Sequence, residues 1–183
     1  VGMAIREAIK IGYRHFDCAA IYGNELDVGA GLADAVELGQ VKRSDLFITS
    51  KLWNDSHRRQ DVIPALQESL ARLQLDYLDM YLIHWPVALK KGSILPDRSA
   101  DAFLPMGEAP ISVTWEEMER AVEQGLTKGI GLSNFSAKKI DELLKTAKVT
   151  PAILQVEHHP YLQVPKLLSY CKEKGIHVTA YSP

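Results

Sequence analysis

The sequence predicts an α/β fold in which six parallel strands alternate with crossover helices. Two observations carry this. Apolar residues switch again and again between helical and extended spacing along the chain. The extended runs are short and nearly all apolar, as in parallel strands covered on both faces. Composition agrees, with 46% hydrophobic and 24% charged residues, ordinary values for a globular domain.

The elements follow in order. Met3, Ile5, Ala8, Ile9 and Ile11 sit at mostly helical spacing, and Gly12 stops that helix. Tyr13 to Asp17 is a short extended run. Asn24 to Leu38 reads as a helix with Asn24 as N-cap and Gly39 as its stop. Leu46 to Ser50 is a buried strand, and Arg59 to Leu73 a helix carrying Val62, Ile63, Leu66, Leu70 and Leu73. Tyr77 to His84 is the strongest strand. From Val87 to Val113 the pattern fails, and a segment that long without structure is usually functional or disordered. Thr114 then caps a helix running to Glu123, with Glu117 as its capping-box partner. Lys128 to Leu132 is a strand, Ser136 to Thr146 a helix, Ala152 to Val156 a strand, Val164 to Lys174 a helix, and Ile176 to Tyr181 a strand.

Six strands leave two architectures open. A closed (β/α)8 barrel has eight strands in typically about 250 residues. A doubly wound sheet accommodates six, but no GxGxxG follows an early strand, which weakens a dinucleotide fold of that kind.

The 183 residues include 21 Lys and Arg against 23 Asp and Glu, a formal charge of −2. That balance gives no electrostatic footprint for nucleic acid. No apolar run approaches the roughly 20 residues of a membrane span. Two cysteines, Cys18 and Cys171, are too few for a disulfide scaffold, so they read as free thiols in a reducing cytoplasm. The chain starts inside an amphipathic pattern, shows no signal peptide, and stops directly after a strand. Both ends look cut, as in part of a longer chain.

Active sites of both architectures gather at strand C-termini. Asp17 ends the first strand and Tyr22 follows in the loop. Lys51 ends the second, followed by Trp53. His84 and Trp85 end the third, Ser133 and Asn134 follow the fourth, Gln155 ends the fifth and Tyr181 the last. Singly, each has a bland reading: Asp17 as a turn cap, Lys51 as a solvated charge, His84 as a packed histidine, Ser133-Asn134 as a helix-capping loop, Tyr181 as rim packing. Together they resist it. A lysine at the end of an apolar strand needs an anion nearby, and Asp17 on the neighbouring strand can supply one.

These residues sit in stretches that resemble the aldo-keto reductases. The resemblance runs through Tyr13-Arg14-His15-Phe16-Asp17-Cys18-Ala19-Ala20-Ile21-Tyr22-Gly23-Asn24-Glu25, Thr49-Ser50-Lys51-Leu52-Trp53 and Leu75 to Pro86. It continues through Gly129 to Phe135, Gln155 to Leu162 and Ala180 to Pro183, in order over essentially the whole chain. It implies a (β/α)8 TIM barrel. Residues 1–183 would then form one barrel-type domain holding the second to seventh strands and lacking the first and last.

The resemblance also implies an NAD(P)H-dependent oxidoreductase that reduces aldehydes, ketones or aldoses. The family tetrad falls on Asp17, Tyr22, Lys51 and His84. Asp17, Ser133, Asn134, Gln155 and Tyr181 would contact the cofactor, the middle three at the nicotinamide carboxamide and Tyr181 by stacking on the ring. Trp53 and Trp85, with Tyr22 and His84, would line the substrate site. NADPH is the expected cofactor. NADH is not excluded, because the segment that grips the adenosine 2′-phosphate belongs to the missing C-terminal part. The expected partner is a small carbonyl compound, with no nucleic acid and no membrane.

The chemistry suits these residue types. Carbonyl reduction needs a hydride on carbon and a proton on oxygen. A free phenol, with a pKa of about 10, is a sluggish acid, and a neighbouring ammonium favours its ionised form. Asp17 would hold Lys51, and His84 would hydrogen-bond the carbonyl oxygen.

Three further readings complete the set. The segment from Val87 to Val113 would border the substrate pocket and set substrate choice. His57-Arg58-Arg59 reads as a solvated helix start. A metal site at His158-His159 is weak, because adjacent strand residues face opposite ways. The alternative from another class is a non-catalytic binding or structural protein on the same fold.

Overall fold

The computed structural model describes residues 1–93, 102–105 and 107–183. Its elements alternate as the sequence predicts: α1 (Gly2–Lys10), β1 (His15–Asp17), α2 (Glu25–Glu37), β2 (Phe47–Leu52), α3 (Arg59–Leu73), β3 (Met80–Ile83), α4 (Ile111–Glu123), β4 (Ile130–Ser133), α5 (Ala137–Leu144), β5 (Ile153–Glu157), α6 (Pro165–Lys174) and β6 (His177–Tyr181).

The six strands form one parallel sheet in the order β1-β2-β3-β4-β5-β6. Each strand therefore lies beside its predecessor, and the order never reverses. A doubly wound sheet reverses its order at a switch point, so the open alternative falls and the fold is that of a TIM barrel. The curl is visible in one hydrogen bond. Gln155 Nε2 on β5 donates to Asp17 Oδ1 on β1 at 3.3 Å. Four interstrand steps in a flat sheet would separate those strands by about 19 Å. The sheet is thus bent round into a half-barrel, and β1 and β6 face each other across an open cavity of about 540 Å³.

Burial follows this geometry. β3 and β4 are buried at every position, whereas β6, at the seam, is half exposed. Ile48, Leu52, Leu82, Ile83, Leu132 and Leu154 are fully covered, with the helices packed outside. The α2–α3 contact depends on Gly29, where a Cβ would lie 2.4 Å from the carbonyl oxygen of Arg72. At the N-terminal end of the sheet, Asp79 accepts from Arg43, from Lys128 and from the Ile48 amide. That network staples β2, β3 and β4.

Three expectations are corrected. Helix α4 begins at Ile111, not after Thr114, and its N-cap residue is Pro110 with no side-chain cap. Thr114 lies buried in the first turn and donates to the carbonyl of His57 at 2.8 Å. Glu117 is likewise buried and ion-paired to Arg59 and Arg120. His57 is no solvated residue. It is fully buried under Thr114, while Arg58 and Arg59 are held by Glu108, Glu116 and Glu117. His158 and His159 lie beyond the end of β5, bonded to the Leu162 carbonyl and to Glu157.

Burial lowers the pKa of His57 to about 4, with the charge of Asp55 opposing the shift only in part. The unfolded chain binds this proton near pH 6.5, so the stabilising effect of the neutral ring is complete above that pH. It is lost as pH falls from there toward 4. Between pH 7 and pH 5 the group should cost the fold about 2 kcal/mol. Urea midpoints at the two pH values check this, and His57→Gln, which cannot titrate, should show a correspondingly flatter dependence.

Candidate active site

The site forms at the C-terminal ends of the strands. Thr49 pairs in register with Asp17 across β1 and β2. Lys51, two residues on, shares the face of Thr49 and turns its ammonium back toward β1. Nζ donates to Asp17 Oδ2 at 2.7 Å and to the Cys18 carbonyl at 2.9 Å. The lysine is 1% exposed and the aspartate 40% exposed. A cation buried this deeply would cost several kcal/mol without such partners.

Residues 18–24 lead from β1 into α2 and carry Tyr22 on a short 3-10 turn, Ala20–Tyr22, closed by Gly23 at φ 67°. The left-handed conformation there favours glycine. Lys51 Nζ stands 5.3 Å from the centroid of the Tyr22 ring. The His84 ring meets Tyr22 edge-on at 6.0 Å and Trp53 at 5.4 Å. Asp17, Tyr22, Lys51 and His84 thus converge at one rim of the sheet. Tyr22 is half exposed, so its phenol is reachable.

His84 is nearly buried, and its pKa is lowered to about 4, first by burial and then by the charge of Lys51, with Asp17 opposing. It is therefore neutral at pH 7. Its Nδ1 is buried without a hydrogen-bond partner among the described residues. The nitrogen left to meet a ligand is Nε2. Cys18, beside the tetrad, is a buried free thiol. Burial, then the charges of Glu25 and Asp17, push its thiol up to about 12.

The second group is continuous with the first. Ser133 and Gln155 are register partners on β4 and β5. Asn134 adopts the left-handed conformation at φ 64°, which asparagine tolerates better than most residues. From there its Nδ2 donates to the His84 carbonyl and to Ser133 Oγ, both at 3.0 Å. Its Oδ1 accepts from the Tyr181 hydroxyl at 2.8 Å. Asp17, Gln155 and Tyr181 line the open cavity between β1 and β6.

Loops close in around Trp53. Trp53 Nε1 donates to the Ser93 carbonyl at 2.8 Å. Leu89 N donates to the Asn54 carbonyl, Gly92 N to Asp55 Oδ2, and Lys91 Nζ to Ser56 Oγ. Successive residues 53–56 therefore tie down the start of the long segment after β3. Part of that segment, residues 94–101 and 106, lies outside the described residues. Trp85 is 41% exposed and takes no part in the ring contacts that join Trp53, Tyr22 and His84.

Glu25, Ser50 and Arg72 form a further polar group beside this rim that no motif in the sequence marks. Glu25 is buried beside the Tyr22 turn, where it accepts from Ser50 Oγ and Arg72 Nε. An acidic residue in the first turn of a helix reads as a partner for the helix dipole, and nothing in the pattern signals its burial.

The profile of the Aldo/keto reductase family matches residues 2–183. An aldo/keto reductase of Synechocystis sp. is 51% identical over 183 residues, which are 100% of this chain and 56% of that protein. Aldo-keto reductase family 1 member A1 of Sus scrofa is 50% identical over 184 residues, covering 100% of this chain and 57% of that protein. The chain spans a little over half the length of these relatives. Among solved structures, the aldose reductase of Schistosoma japonicum superposes with a TM-score of 0.93 at 45% identity, covering 100% of this chain and 60% of that one. The Bombyx mori aldo-keto reductase in complex with NADP gives 0.90 at 44%, covering 100% and 56%. With the profile matched from end to end and half the residues shared, this chain belongs to the aldo/keto reductase family.

Proposed function

We propose that this chain carries the acid–base and nicotinamide-binding part of an NADPH-linked reductase of aldehydes, ketones or aldoses. The observation that carries the reading is the convergence of Asp17, Tyr22, Lys51 and His84 at one rim of the half-barrel. Family membership and the aldose reductase neighbour support it.

The donor set fits a nicotinamide. A carboxamide offers one acceptor and two donors, and Ser133, Asn134 and Gln155 present hydroxyl and amide groups that match both. Tyr181, its hydroxyl held by Asn134, supplies a flat face for a planar ring. The cofactor, when bound, supplies the hydride. NADPH is preferred because the Bombyx mori relative was solved with NADP.

The chain's own residues do the rest. His84, neutral, donates Nε2–H to the carbonyl oxygen and orients it without adding net charge. Tyr22 passes its phenolic proton to that oxygen. Lys51 stabilises the negative charge that develops on the phenol, and Asp17 fixes the ammonium. Trp53 and the loop bonded to it shield the oxygen from water, which strengthens these interactions. The complete protein, assayed with an aromatic aldehyde, should consume reduced nicotinamide in proportion to alcohol formed. Cofactor binding without turnover of any aldehyde, ketone or aldose would favour the non-catalytic alternative.

A further inference from the structure

The loop that carries Tyr22 is fastened at both ends to successive residues of one strand. At its start, Lys51 Nζ holds the Cys18 carbonyl at 2.9 Å. At its end, Ser50 Oγ donates to Glu25 Oε1 at 2.7 Å. Successive strand residues face opposite ways, so one fastening comes from the lumen side of β2 and the other from the helix side.

The second fastening is built around a charge. The Glu25 side chain is 0% exposed. Its Oε2 accepts from Arg72 Nε at 2.8 Å, and Arg72 also reaches Ser69 Oγ at 3.3 Å from the last turn of α3. A carboxylate at the first residue of a helix already meets a favourable dipole at the surface. Burying it is costly, and here the buried oxygens bind two different elements, β2 and α3. Between the fastenings the Ala20–Tyr22 turn has no side-chain cap, and Tyr22 is half exposed. Its position is set from the two ends.

We infer that Glu25 is a positioning residue for carbonyl reduction: bonded to Ser50 and paired with Arg72, it holds the turn so that the Tyr22 phenol stays beside Lys51 and His84. This rests on the proposed role of Tyr22 as proton donor. Glu25 does not touch substrate or cofactor. It acts by fixing where the proton is released, and small misplacements of a reacting group are costly.

The test uses the complete protein. Glu25→Ala should lower kcat by about 10- to 100-fold. KM for an aromatic aldehyde and the dissociation constant of the reduced cofactor should stay within about twofold, since binding geometry is intact. The solvent deuterium isotope effect on kcat should rise, because proton delivery becomes limiting. A purely structural role would instead lower the melting temperature and leave kcat per folded enzyme and the isotope effect at parental values, and that result would overturn the inference. If Glu25→Ala does not fold, Ser50→Ala removes one hydroxyl and one fastening. It should show the same kcat and isotope pattern at about threefold, and parental values there overturn the inference as well. Tyr22→Phe separates the two levels. If it is fully active, the role of Tyr22 falls and this inference with it. If it is inactive while Glu25→Ala matches the parent, this inference alone falls.

Discussion

Replacing Tyr22 with phenylalanine is expected to lower kcat for aldehyde reduction by about 10³-fold, the middle of the range for losing a positioned general acid. The change removes one oxygen from a half-exposed ring. No hydrogen bond of the Tyr22 hydroxyl holds the fold among the described residues, so the melting temperature should not move. The cofactor contacts assigned to Ser133, Asn134, Gln155 and Tyr181 involve other strands, so cofactor affinity should stay within about threefold. Steady-state kinetics, with cofactor binding followed by fluorescence, checks both halves. A fully active variant would remove Tyr22 from the chemistry.

Lys51→Met is the second large effect. Methionine fills nearly the volume of the lysine stem but carries no charge and no donor. The Cys18 carbonyl loses its 2.9 Å partner, and Asp17 loses its 2.7 Å cation. Asp17 is 40% exposed, so water takes over much of its solvation and the fold should survive. The charge stabilising a departing phenolic proton is gone, and kcat should fall by about 10²- to 10³-fold. His84 gives an independent readout. The Lys51 charge is one of the causes of its depressed pKa, so its value should rise toward normal in the variant. Resonances of the His84 ring, followed against pH, would report that rise, and an unchanged value would argue against the observed proximity.

Much of the fold was legible because parallel strands buried on both faces leave an unmistakable run of apolar residues, as from Met80 to Ile83. Their spatial order was not. Alternation alone fits both a sheet that reverses and one that curls; the family resemblance implied the curl, and the strand pairing shows it. The Asp17–Lys51 pair was deducible, since an ammonium at the end of a buried strand has few alternatives. His57 misled because three basic residues in a row at a helix start look solvated. The Asn54–Ser56 turn tucks the first of them under α4, a tertiary event with no local signature. Thr114 misled similarly: its spacing to Glu117 matches a capping box, but Pro110 starts the helix earlier and leaves both side chains to be buried. Trp53 joins the ring cluster, while Trp85, beside His84 in the chain, stands exposed outside it.

The bond between Gln155 and Asp17 links positions 138 residues apart. Closing so long a loop is entropically slow and must wait until intervening segments have docked. During synthesis, the tyrosine, lysine and histidine can all leave the ribosome and meet while the amide that completes their surroundings is still untranslated. Contacts so distant along the chain slow folding, so the surroundings of Asp17 are complete only once β5 has joined the sheet.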